Sequence, residues 1–517
     1  MKIYIYVCFL IMALFVSCME DKGNYDYVPV NQIQIDTIHD CTIEIYDTLR
    51  IPTKVTCTLD PTTELSYFWY KYRENDGTKM DTISFDKDLE YKVSDLVGKY
   101  QIFLKVTDMN TGISDKTSFN MTVVGKFGAG LMILGEVDGK TSFVFINDAG
   151  NVTDVYGDVT GDQLGKNPVF IADATSPNIS SLKDIMVLCA DERGGTILSN
   201  ADFTLSKELK DIFFIQPSTF SPQAYYRAFN PIYATGFADF IISNGKLHTR
   251  TLYHEEELGR TIAFNPAIEG KYELCPHAIV CPAAYLFYDN AGEGRFLSVK
   301  QGTFSMNNVF NILKSGTEGF DPTKLGMKCI YLSEAAQYTK KQSGFGIFKD
   351  NASGQLQGVR FSMDYYSNDR GDYPMALYAK TPITADAKGI ENATGYAMSL
   401  ARPHLYYSKD NQVYFYGIDN NQAYPVYDVD TVPGLENSVI DKIYMEYRTM
   451  GYSERNVYGS TSDTYNKVLY VSSHKEGQSG KNGTIHILKL ADNGTVESRT
   501  ALYKNICGKT VSICYKR

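Results

Sequence analysis

Long hydrophobic runs are almost absent from this sequence of 517 residues, because residues 3–16 form the one such run. That run is shorter than the about 20 apolar residues that a membrane-spanning helix needs, so no transmembrane helix is predicted. Basic charge is not in excess either: the net charge is −10, and Lys and Arg are spread along the chain. A nucleic-acid partner needs clustered cations that neutralise phosphates, so the sequence predicts no nucleic acid among the partners.

Motifs of enzymes are missing as well. The chain has no Gly-x-Ser-x-Gly elbow, no Walker loop and no dinucleotide-binding fingerprint. The segment from His254 to Leu258 resembles the zinc-binding helix of metalloproteases, but Leu258 stands where the second histidine ligand is required. We therefore predict a non-enzymatic protein that has no catalytic residues, no cofactor and no metal site.

The N-terminal run has the features of an export signal. Lys2 supplies a positive charge, the apolar segment has the length of a signal core, and Ser17 stands just before Cys18. This junction resembles the lipobox of bacterial lipoproteins, in which the cysteine is acylated and becomes the mature N-terminus. We predict a signal peptide at residues 1–17 and lipidation of Cys18. An ordinary signal peptide followed by an incidental cysteine is the alternative.

Acidic residues directly behind the anchor predict the location of the mature protein. Glu20 and Asp21 resemble the surface-export signal of lipoproteins in gut Gram-negative bacteria. That resemblance implies a protein that is lipid-anchored in the outer membrane and exposed on the cell surface. The polar residues 18–30 are predicted to be a tether between the lipid and the first domain.

Eight cysteines remain in the chain after the lipidated one, and their spacing specifies no disulfide framework. Cys275, His277 and Cys281 lie close together, but their spacing matches no common zinc motif and a fourth ligand is not evident. Buried or disulfide-bonded cysteines are therefore preferred to metal ligands. Cys41 and Cys57 are a candidate pair, since they could face each other across a hairpin.

A chain of this length exceeds what one hydrophobic core usually supports, so at least two domains are expected. Residues 31–125 contain short alternating segments such as Tyr100–Val106, with turn signals every 8 to 12 residues. This pattern is typical of an immunoglobulin-like β-sandwich. Trp69, the single tryptophan, is expected to fill its core.

Residues 126–517 contain a loose repeat in which four or five apolar residues lead into a turn and a second strand. Seven such hairpins recur at intervals of about 45 to 65 residues, which fits one four-stranded blade each. The domain is therefore predicted to be a seven-bladed β-propeller, closed by the strand Thr510–Tyr515. A set of sandwiches or a β-solenoid is the alternative. The hairpins begin near Leu131, Ile185, Phe240, Tyr285, Phe345, Leu405 and Val468.

Two segments carry a resemblance to a known family. The residues from Gly98 to Asp108 contain the Gly-x-Tyr and Val-x-Asp pattern of polycystic-kidney-disease (PKD) domains. Together with the segment Glu20–Tyr27 behind the anchor cysteine, the layout resembles the PKD-like family lipoproteins of gut Gram-negative bacteria. Members of that family are typically encoded beside SusC/SusD-type uptake systems, in which a TonB-dependent transporter carries a lipoprotein lid. The resemblance implies an accessory protein that binds or passes on oligosaccharides or peptides.

The predicted function is therefore that of a surface-anchored binding or assembly component of a SusC/SusD-type nutrient uptake system. One loop, residues 364–374, combines aromatic and charged residues, and it is the candidate ligand-binding segment, although a solvated loop would have the same composition. Its candidate contact residues are Tyr365, Tyr366, Arg370 and Tyr373. The alternative hypothesis is a glycan or peptide hydrolase whose two carboxylates converge in the propeller funnel.

Overall fold

The structure of this chain is a computed structural model. It describes residues 31–58, 64–73, 76–95, 97–175, 184–229, 236–253, 263–281, 284–301, 306–311, 313–335, 342–363, 374–445 and 466–516. The chain divides into two compact units between Val124 and Gly125. Cys18, the segment 254–258 and the candidate ligand-binding residues at 365, 366, 370 and 373 lie outside the described residues.

The first unit consists of β-strands in three sheets. A five-stranded sheet has the order β2-β9-β8-β5-β6, and two-stranded sheets pair β1 with β4 and β3 with β7. The strands are β1 (Ile33–Ile35), β2 (Cys41–Glu44), β3 (Thr48–Ile51), β4 (Val55–Cys57), β5 (Leu65–Arg73), β6 (Asp76–Ser84), β7 (Leu89–Lys92), β8 (Gly98–Asp108) and β9 (Ser114–Val124).

Alternation along β8, as the sequence predicted, and the buried Trp69 of β5 produce the core of this unit. Trp69 is 0% exposed, and its indole nitrogen donates a hydrogen bond to the carbonyl oxygen of Asp86 at 3.0 Å. The buried Asp108 ends β8 and accepts hydrogen bonds from the backbone N–H of Asn110 and from the side chain of Asn31. The Val-x-Asp pattern thus marks a carboxylate that fixes the turn after this strand.

The predicted hairpin pairing of Cys41 with Cys57 is not observed. Cys41 lies on β2, which pairs in parallel with β9, whereas Cys57 lies on β4, which pairs with β1. Both side chains are free thiols. The segment between them contains β3, which pairs with β7 and so does not form the two-stranded hairpin that the sequence suggested.

The second unit forms seven sheets from the described strands, each antiparallel in its main ladder. Blades 1 to 3 contain β10 (Gly130–Val137), β11 (Lys140–Asn147), β12 (Val152–Asp154), β13 (Pro168–Asp173), β14 (Asp184–Cys189), β15 (Gly195–Ser199), β16 (Leu205–Glu208), β17 (Pro222–Phe229), β18 (Gly236–Ser243) and β19 (Lys246–Tyr253).

Blades 4 to 7 and the closing strand follow in the same manner. Their strands are β20 (Ile279–Cys281), β21 (Ala284–Asp289), β22 (Arg295–Gln301), β23 (Met306–Asn311), β24 (Lys314–Ser315), β25 (Met327–Ala335), β26 (Gln342–Asp350), β27 (Leu356–Met363), β28 (Pro374–Pro382), β29 (Gly395–Met398), β30 (His404–Lys409), β31 (Gln412–Gly417), β32 (Gln422–Asp428), β33 (Ser438–Met445), β34 (Val468–Lys475), β35 (Gly483–Leu490), β36 (Val496–Cys507) and β37 (Lys509–Lys516).

Helical structure in the described chain is limited to single turns. A π-helical turn spans Tyr156–Thr160, and 3-10 turns span Gly161–Leu164, Leu209–Ile212, Ile390–Asn392 and Val429–Thr431. In the part of the chain that the structure describes, none of these segments has the length and apolar character needed to span a bilayer.

The predicted closure by the C-terminal strand is confirmed. β37 pairs antiparallel with β10, so the first sheet has the order β12-β11-β10-β37. The first strand of every blade contacts the first strand of the next, in the cyclic order β37, β13, β17, β20, β25, β29, β33 and back to β37. These seven strands therefore surround the axis of a closed propeller.

Each of the seven predicted hairpins is an antiparallel strand pair, and each lies in a different blade. Seven apolar clusters fill the spaces between neighbouring blades, one for each pair. On β10, Met132 and Leu134 face blade 2, whereas Leu131 and Ile133 face blade 7. The apolar runs are continuous rather than alternating because both faces of these strands are buried.

The dipeptides Asp138-Gly139, Asn244-Gly245 and Asn482-Gly483 have the sequence that is typical of tight hairpin turns, which predicts three such turns, and two of them are found. Asp138-Gly139 and Asn244-Gly245 have the positive φ angles that tight two-residue hairpins require. The Asn482-Gly483 prediction is wrong, because Gly483 is the first residue of β35 and the preceding turn is longer. A Cβ atom at Gly483 would collide with the backbone of Gly508, so close packing rather than turn geometry requires this glycine.

Candidate functional site

Three aromatic side chains from three consecutive blades contact one another beside the inner strands of the propeller. His277 precedes β20, Tyr331 lies on β25 and Tyr396 on β29, the first strands of blades 4, 5 and 6. The tyrosine rings stack with centroids 4.6 Å apart, and the imidazole contacts their edges at 5.1 and 6.0 Å. We call His277, Tyr331, Tyr396 and the neighbouring Lys442 the axial cluster.

Lys442 supplies the cation of this cluster from β33 in blade 7. Its ammonium donates a hydrogen bond to the carbonyl oxygen of Thr394 at 3.0 Å, which ties blade 7 to the start of blade 6. Burial lowers the pKa of Lys442. Burial and the positive charge of Lys442 together lower the pKa of His277 to about 4.

The imidazole of His277 is therefore neutral at physiological pH. A neutral imidazole has one donor and one acceptor nitrogen, and this ring lies against two tyrosine rings, within electrostatic range of the Lys442 ammonium group. Tyr331 packs in the apolar cluster between blades 5 and 6, whereas His277, Tyr396 and Lys442 are half-buried, so the polar groups of these three residues are the ones that a ligand could reach. A general base would need a pKa nearer the working pH, so the axial cluster is better suited to binding than to proton transfer.

Two thiols lie directly beside the axial cluster. Cys275 and Cys329 are both buried in the apolar cluster between blades 4 and 5. Burial raises the pKa of the Cys329 thiol well above its usual value. The sequence placed Cys275 and His277 in one possible zinc motif, but here Cys275 packs in this core and His277 contacts tyrosines. Among the described side chains, no group of three or more possible ligands is arranged to hold a metal ion.

The segments Asp289–Glu293 and Asp428–Asp430 contain carboxylates of the kind that bind calcium, but hairpin turns use the same residues. In the structure their aspartates stabilise turns and ion pairs. Asp428 accepts hydrogen bonds from the backbone N–H of Asp430 and from the side chain of Asn411. Asp289 accepts bonds from the backbone N–H of Ala291 and from the guanidinium of Arg295. The interpretation of both segments as turns agrees with these contacts.

Carboxylates on the seven inner strands are few and belong to separate blades. In the described chain they are Asp173 on β13, Glu334 on β25 and Asp441 on β33, and no two of these blades are neighbours. Both oxygens of Asp441 are engaged, one by His474 Nδ1 at 2.7 Å and one by the backbone N–H of Thr510 at 3.1 Å. No inner strand thus offers an adjacent pair of carboxylates in the described part of the chain.

A serine and a histidine also lie close together, but they are inaccessible. Ser473 Oγ is 3.0 Å from Nε2 of His486, and Tyr427 OH is 3.0 Å from its Nδ1. Ser473 and His486 are buried to 1% and 0% exposure. A substrate could not reach this serine without unfolding of the blade, so the trio is a hydrogen-bonded part of the core.

An ion cluster in blade 3 is the strongest buried charge arrangement that sequence reasoning missed. Asp239 on β18 accepts a bidentate contact from Arg227 on β17, at 2.6 and 2.8 Å, and further bonds from Arg250 on β19. Burial alone would raise the pKa of Asp239, but the two guanidinium groups hold it below its usual value. These three residues join the strands of one sheet.

The axial cluster was not among the predicted ligand contacts. Its members are separated by 46 to 65 residues from one blade to the next, and no local motif connects them. The position of each residue along its blade is the one signal that could have identified the cluster, because each residue lies on or next to the first strand of its blade. The hairpin that begins near Leu405 contains four tyrosines that pack between blades. Tyr406 faces blade 7, and Tyr407, Tyr414 and Tyr416 face blade 5.

Comparison with protein families gives one match: residues 18–168 match the PKD-like family. The chain therefore contains a PKD-like family domain. A comparison with curated proteins finds no match.

Solved structures give weak similarities. A quinonprotein alcohol dehydrogenase-like protein from Bacteroides thetaiotaomicron is 13% identical, covers 93% of this chain and 97% of its own, and has a TM-score of 0.40. The PQQ-bound aldose sugar dehydrogenase of Streptomyces coelicolor is 12% identical, covers 65% of this chain and 93% of its own, and has a TM-score of 0.29. Similarities at this level assign neither an activity nor a cofactor to this chain.

Proposed function

We propose that this chain is a surface-anchored, non-enzymatic lipoprotein that binds an oligosaccharide or peptide at the propeller axis. In this proposal it serves as an accessory or assembly component of a SusC/SusD-type TonB-dependent uptake system. The axial cluster is the observation that carries the binding role, because four consecutive blades place a neutral imidazole, two tyrosines and an ammonium group together.

The anchoring part of the proposal is supported by the N-terminal sequence. A signal-like segment ends at Ser17, Cys18 follows, and acidic residues stand directly behind it. The PKD-like family match begins at this cysteine. A lipid on Cys18 would hold the two units outside the cell, where a transporter and its ligands are accessible.

Anchoring is tested on protein purified from its native membrane. Intact-mass analysis is expected to find acyl chains on Cys18, and a Cys18→Ser variant is expected to leave the membrane fraction. Protease added to whole cells should remove the wild-type protein. Unacylated protein, or protein that resists protease on intact cells, would contradict surface anchoring.

Ligand binding at the axis is tested by calorimetry with panels of oligosaccharides and peptides. Lys442→Met is expected to weaken binding of a ligand found in the panel at least tenfold, because it removes a charged donor from the axis. Lys140→Met, at the exposed turn of blade 1, is the matched control and should bind like the wild type. Equal binding by both variants would exclude the axial site.

Association with a transporter is tested by gentle solubilisation of outer membranes and affinity capture. A TonB-dependent barrel and its lipoprotein lid are expected in the captured complex. Recovery of the chain alone, under conditions that preserve other transporter complexes, would count against the assembly role. Release of cleaved sugars or peptides during incubation with the panel would favour the hydrolase alternative.

A further inference from the structure

The outward face of the five-stranded sheet in the first unit carries an unusual row of aromatic rings. Phe68, Tyr70 and Phe103 are half-buried on this face, and Phe85 beside them is 70% exposed. The rings of Phe85, Phe68, Tyr70 and Phe103 stack in succession with centroids 5.5, 5.1 and 5.0 Å apart. Tyr72 stands nearly perpendicular to the last two rings.

A groove of about 760 Å³ adjoins the end of this aromatic row. Its lining combines the rings of Tyr72 and Phe103 with hydroxyl, amide and ammonium groups from β2, β8 and β9. That volume lies within the range of small-molecule sites, which pair apolar surfaces with a few polar groups. The polar residues of the lining include Thr42, Lys99, Gln101 and Asn120.

Strand register arranges this face in successive rows across β5, β8 and β9. One row places Phe68 beside Lys105 and Lys116, the next Tyr70 beside Phe103 and Ser118, and the third Tyr72 beside Gln101 and Asn120. In every row an aromatic residue lies on β5. In the second and third rows, a hydroxyl or amide side chain lies on β9.

Lysines lie at both ends of these rows. Lys99 lines the groove at one end, and Lys105 stands directly opposite Lys116 at the other. All three are exposed. Like charges directly opposite each other on neighbouring strands are destabilising, and an anion placed between Lys105 and Lys116 would relieve that repulsion.

The one carboxylate in the groove is already engaged. Asp40 accepts hydrogen bonds from the backbone N–H and the side-chain amide of Asn120, at 2.7 and 3.0 Å. These bonds hold the pKa of Asp40 below its usual range. They also fix the orientation of the Asn120 amide, whose oxygen remains available as an acceptor.

We infer that this face binds an extended acidic oligosaccharide, and we call it the lysine–aromatic face. Sugar hydroxyls both donate and accept, which matches Gln101, Asn120 and Thr42, while the apolar faces of sugar rings pack against Tyr72 and Phe103. Lys99 and Lys105 are six residues apart on β8, or roughly 20 Å at the usual rise per residue. Acidic groups along a chain of sugars would contact both ends.

The site is independent of the axial cluster and of the proposed function, because every residue in it belongs to the PKD-like unit. The full-length protein with Cys18→Ser is titrated by calorimetry with tetragalacturonate, with the neutral cellotetraose, and with a short polyglutamate peptide. We expect tetragalacturonate to bind at least tenfold more tightly than either of the others. Raising the salt concentration should weaken its binding, since exposed charges are screened.

Variants then locate the site. The double variant Lys105→Gln/Lys116→Gln and the single variants Lys99→Gln and Tyr72→Ala should each weaken tetragalacturonate binding at least fivefold. Lys92→Gln, on the exposed part of β7 in another sheet, is the matched control and should bind like the wild type. The double variant should also melt at a higher temperature than the wild type without ligand, because the like-charge repulsion is gone.

Several outcomes would overturn the inference. If cellotetraose bound as tightly as tetragalacturonate, the lysines would have no role in recognition of the ligand. Polyglutamate binding as tightly would make the face a site for acidic peptides instead. Unchanged affinity in the double variant and in Tyr72→Ala would place any binding elsewhere, and an effect of Lys442→Met alone would assign it to the axial cluster.

Discussion

Buried histidines dominate the response of individual residues to acid. His486 is 0% exposed, and burial, with smaller effects of Arg499 and Lys504, lowers its pKa to about 3. His277 has a pKa of about 4 for a similar reason. In the unfolded chain both imidazoles would protonate near the ordinary value of about 6.5. The folded state therefore disfavours the proton that the unfolded state accepts.

We predict that stability falls as the pH drops below about 6.5. The contribution of these neutral histidines is complete above that pH and is lost progressively until the folded-state pKa is reached. For His486 the loss is about 3 kcal/mol between pH 6.5 and pH 4, at about 1.4 kcal/mol per unit. Urea denaturation at a series of pH values measures it.

A variant separates this effect from general acid unfolding. His486→Gln should be less stable at pH 7, because it disturbs the bonds to Ser473 and Tyr427, but its stability should depend less on pH. His39→Gln, at an exposed position of the first unit, should keep the wild-type profile. Parallel profiles for His486→Gln and the wild type would show that this residue does not bind the critical proton.

At the scale of one sheet, the ion cluster of blade 3 stabilises strand pairing. Arg227, Asp239 and Arg250 lie on three neighbouring strands, in register with one another. The two guanidinium groups and the hydroxyl of Tyr225 together engage both carboxylate oxygens. Removal of one partner from such a buried group leaves charge without compensation, which costs about 3–5 kcal/mol.

Asp239→Asn is therefore expected to destabilise the protein by at least 3 kcal/mol, because two buried guanidinium groups lose their counter-ion. Thermal and urea denaturation of the full chain measure the loss. Asp158→Asn, which changes an exposed carboxylate of blade 1, should shift stability by less than 0.5 kcal/mol. If Asp239→Asn also changed stability by less than about 0.5 kcal/mol, water or a rearrangement would have to compensate the charge of the two arginines.

The strands with two buried faces were the elements of this fold that the sequence predicted most accurately. The central strands of all seven blades appear as continuous apolar runs followed by turn residues, and their spacing gave the propeller and its closing strand. The first strands of the blades vary from three residues in β20 to nine in β25 and do not share such a pattern. The axial residues lie on or beside these strands, so their convergence was visible only in three dimensions.

The lysine–aromatic face could not be predicted from the sequence either. The sequence pattern predicted a sandwich with Trp69 in its core, but it did not identify Phe68, Tyr70 and Tyr72 as an outward row. Their alignment with Phe103 and the lysines depends on the register between β5, β8 and β9. Register is set by side-chain packing and turn geometry across distant segments, so sequence alone did not specify these rows.

At the scale of the whole molecule, β37 completes the propeller. It supplies the innermost strand of blade 1 and contacts the inner strands of blades 2 and 7. Ile513 on β37 packs with Leu131 and Ile485 in the cluster between blades 7 and 1. Gly508 allows close approach, since a Cβ there would overlap the carbonyl oxygen of Glu136. Closure thus depends on contacts between residues more than 350 positions apart.

Deletion of residues 509–517 is expected to open the propeller, and not merely to shorten one blade. The edge of β10 and the apolar cluster between blades 7 and 1 would become exposed, and exposed edges of this kind promote association. We expect loss of the cooperative thermal transition, rapid cleavage by protease and increased dye binding to apolar surface. A synthetic peptide with the sequence of residues 509–517 should restore protease resistance when added in excess, because it can pair with β10.

Point variants on β37 distinguish closure from a general loss of stability. Ile513→Ala should cost about 2–4 kcal/mol, because it leaves a cavity between the first and last blades. Lys509→Ala, at an exposed position of the same strand, should cost less than 0.5 kcal/mol. Ile513 is not a member of the axial cluster, so Ile513→Ala should keep ligand affinity at temperatures where it remains folded. A deletion variant that still unfolds cooperatively without the peptide would mean that the other six blades form a stable open arc, and closure would then not be required.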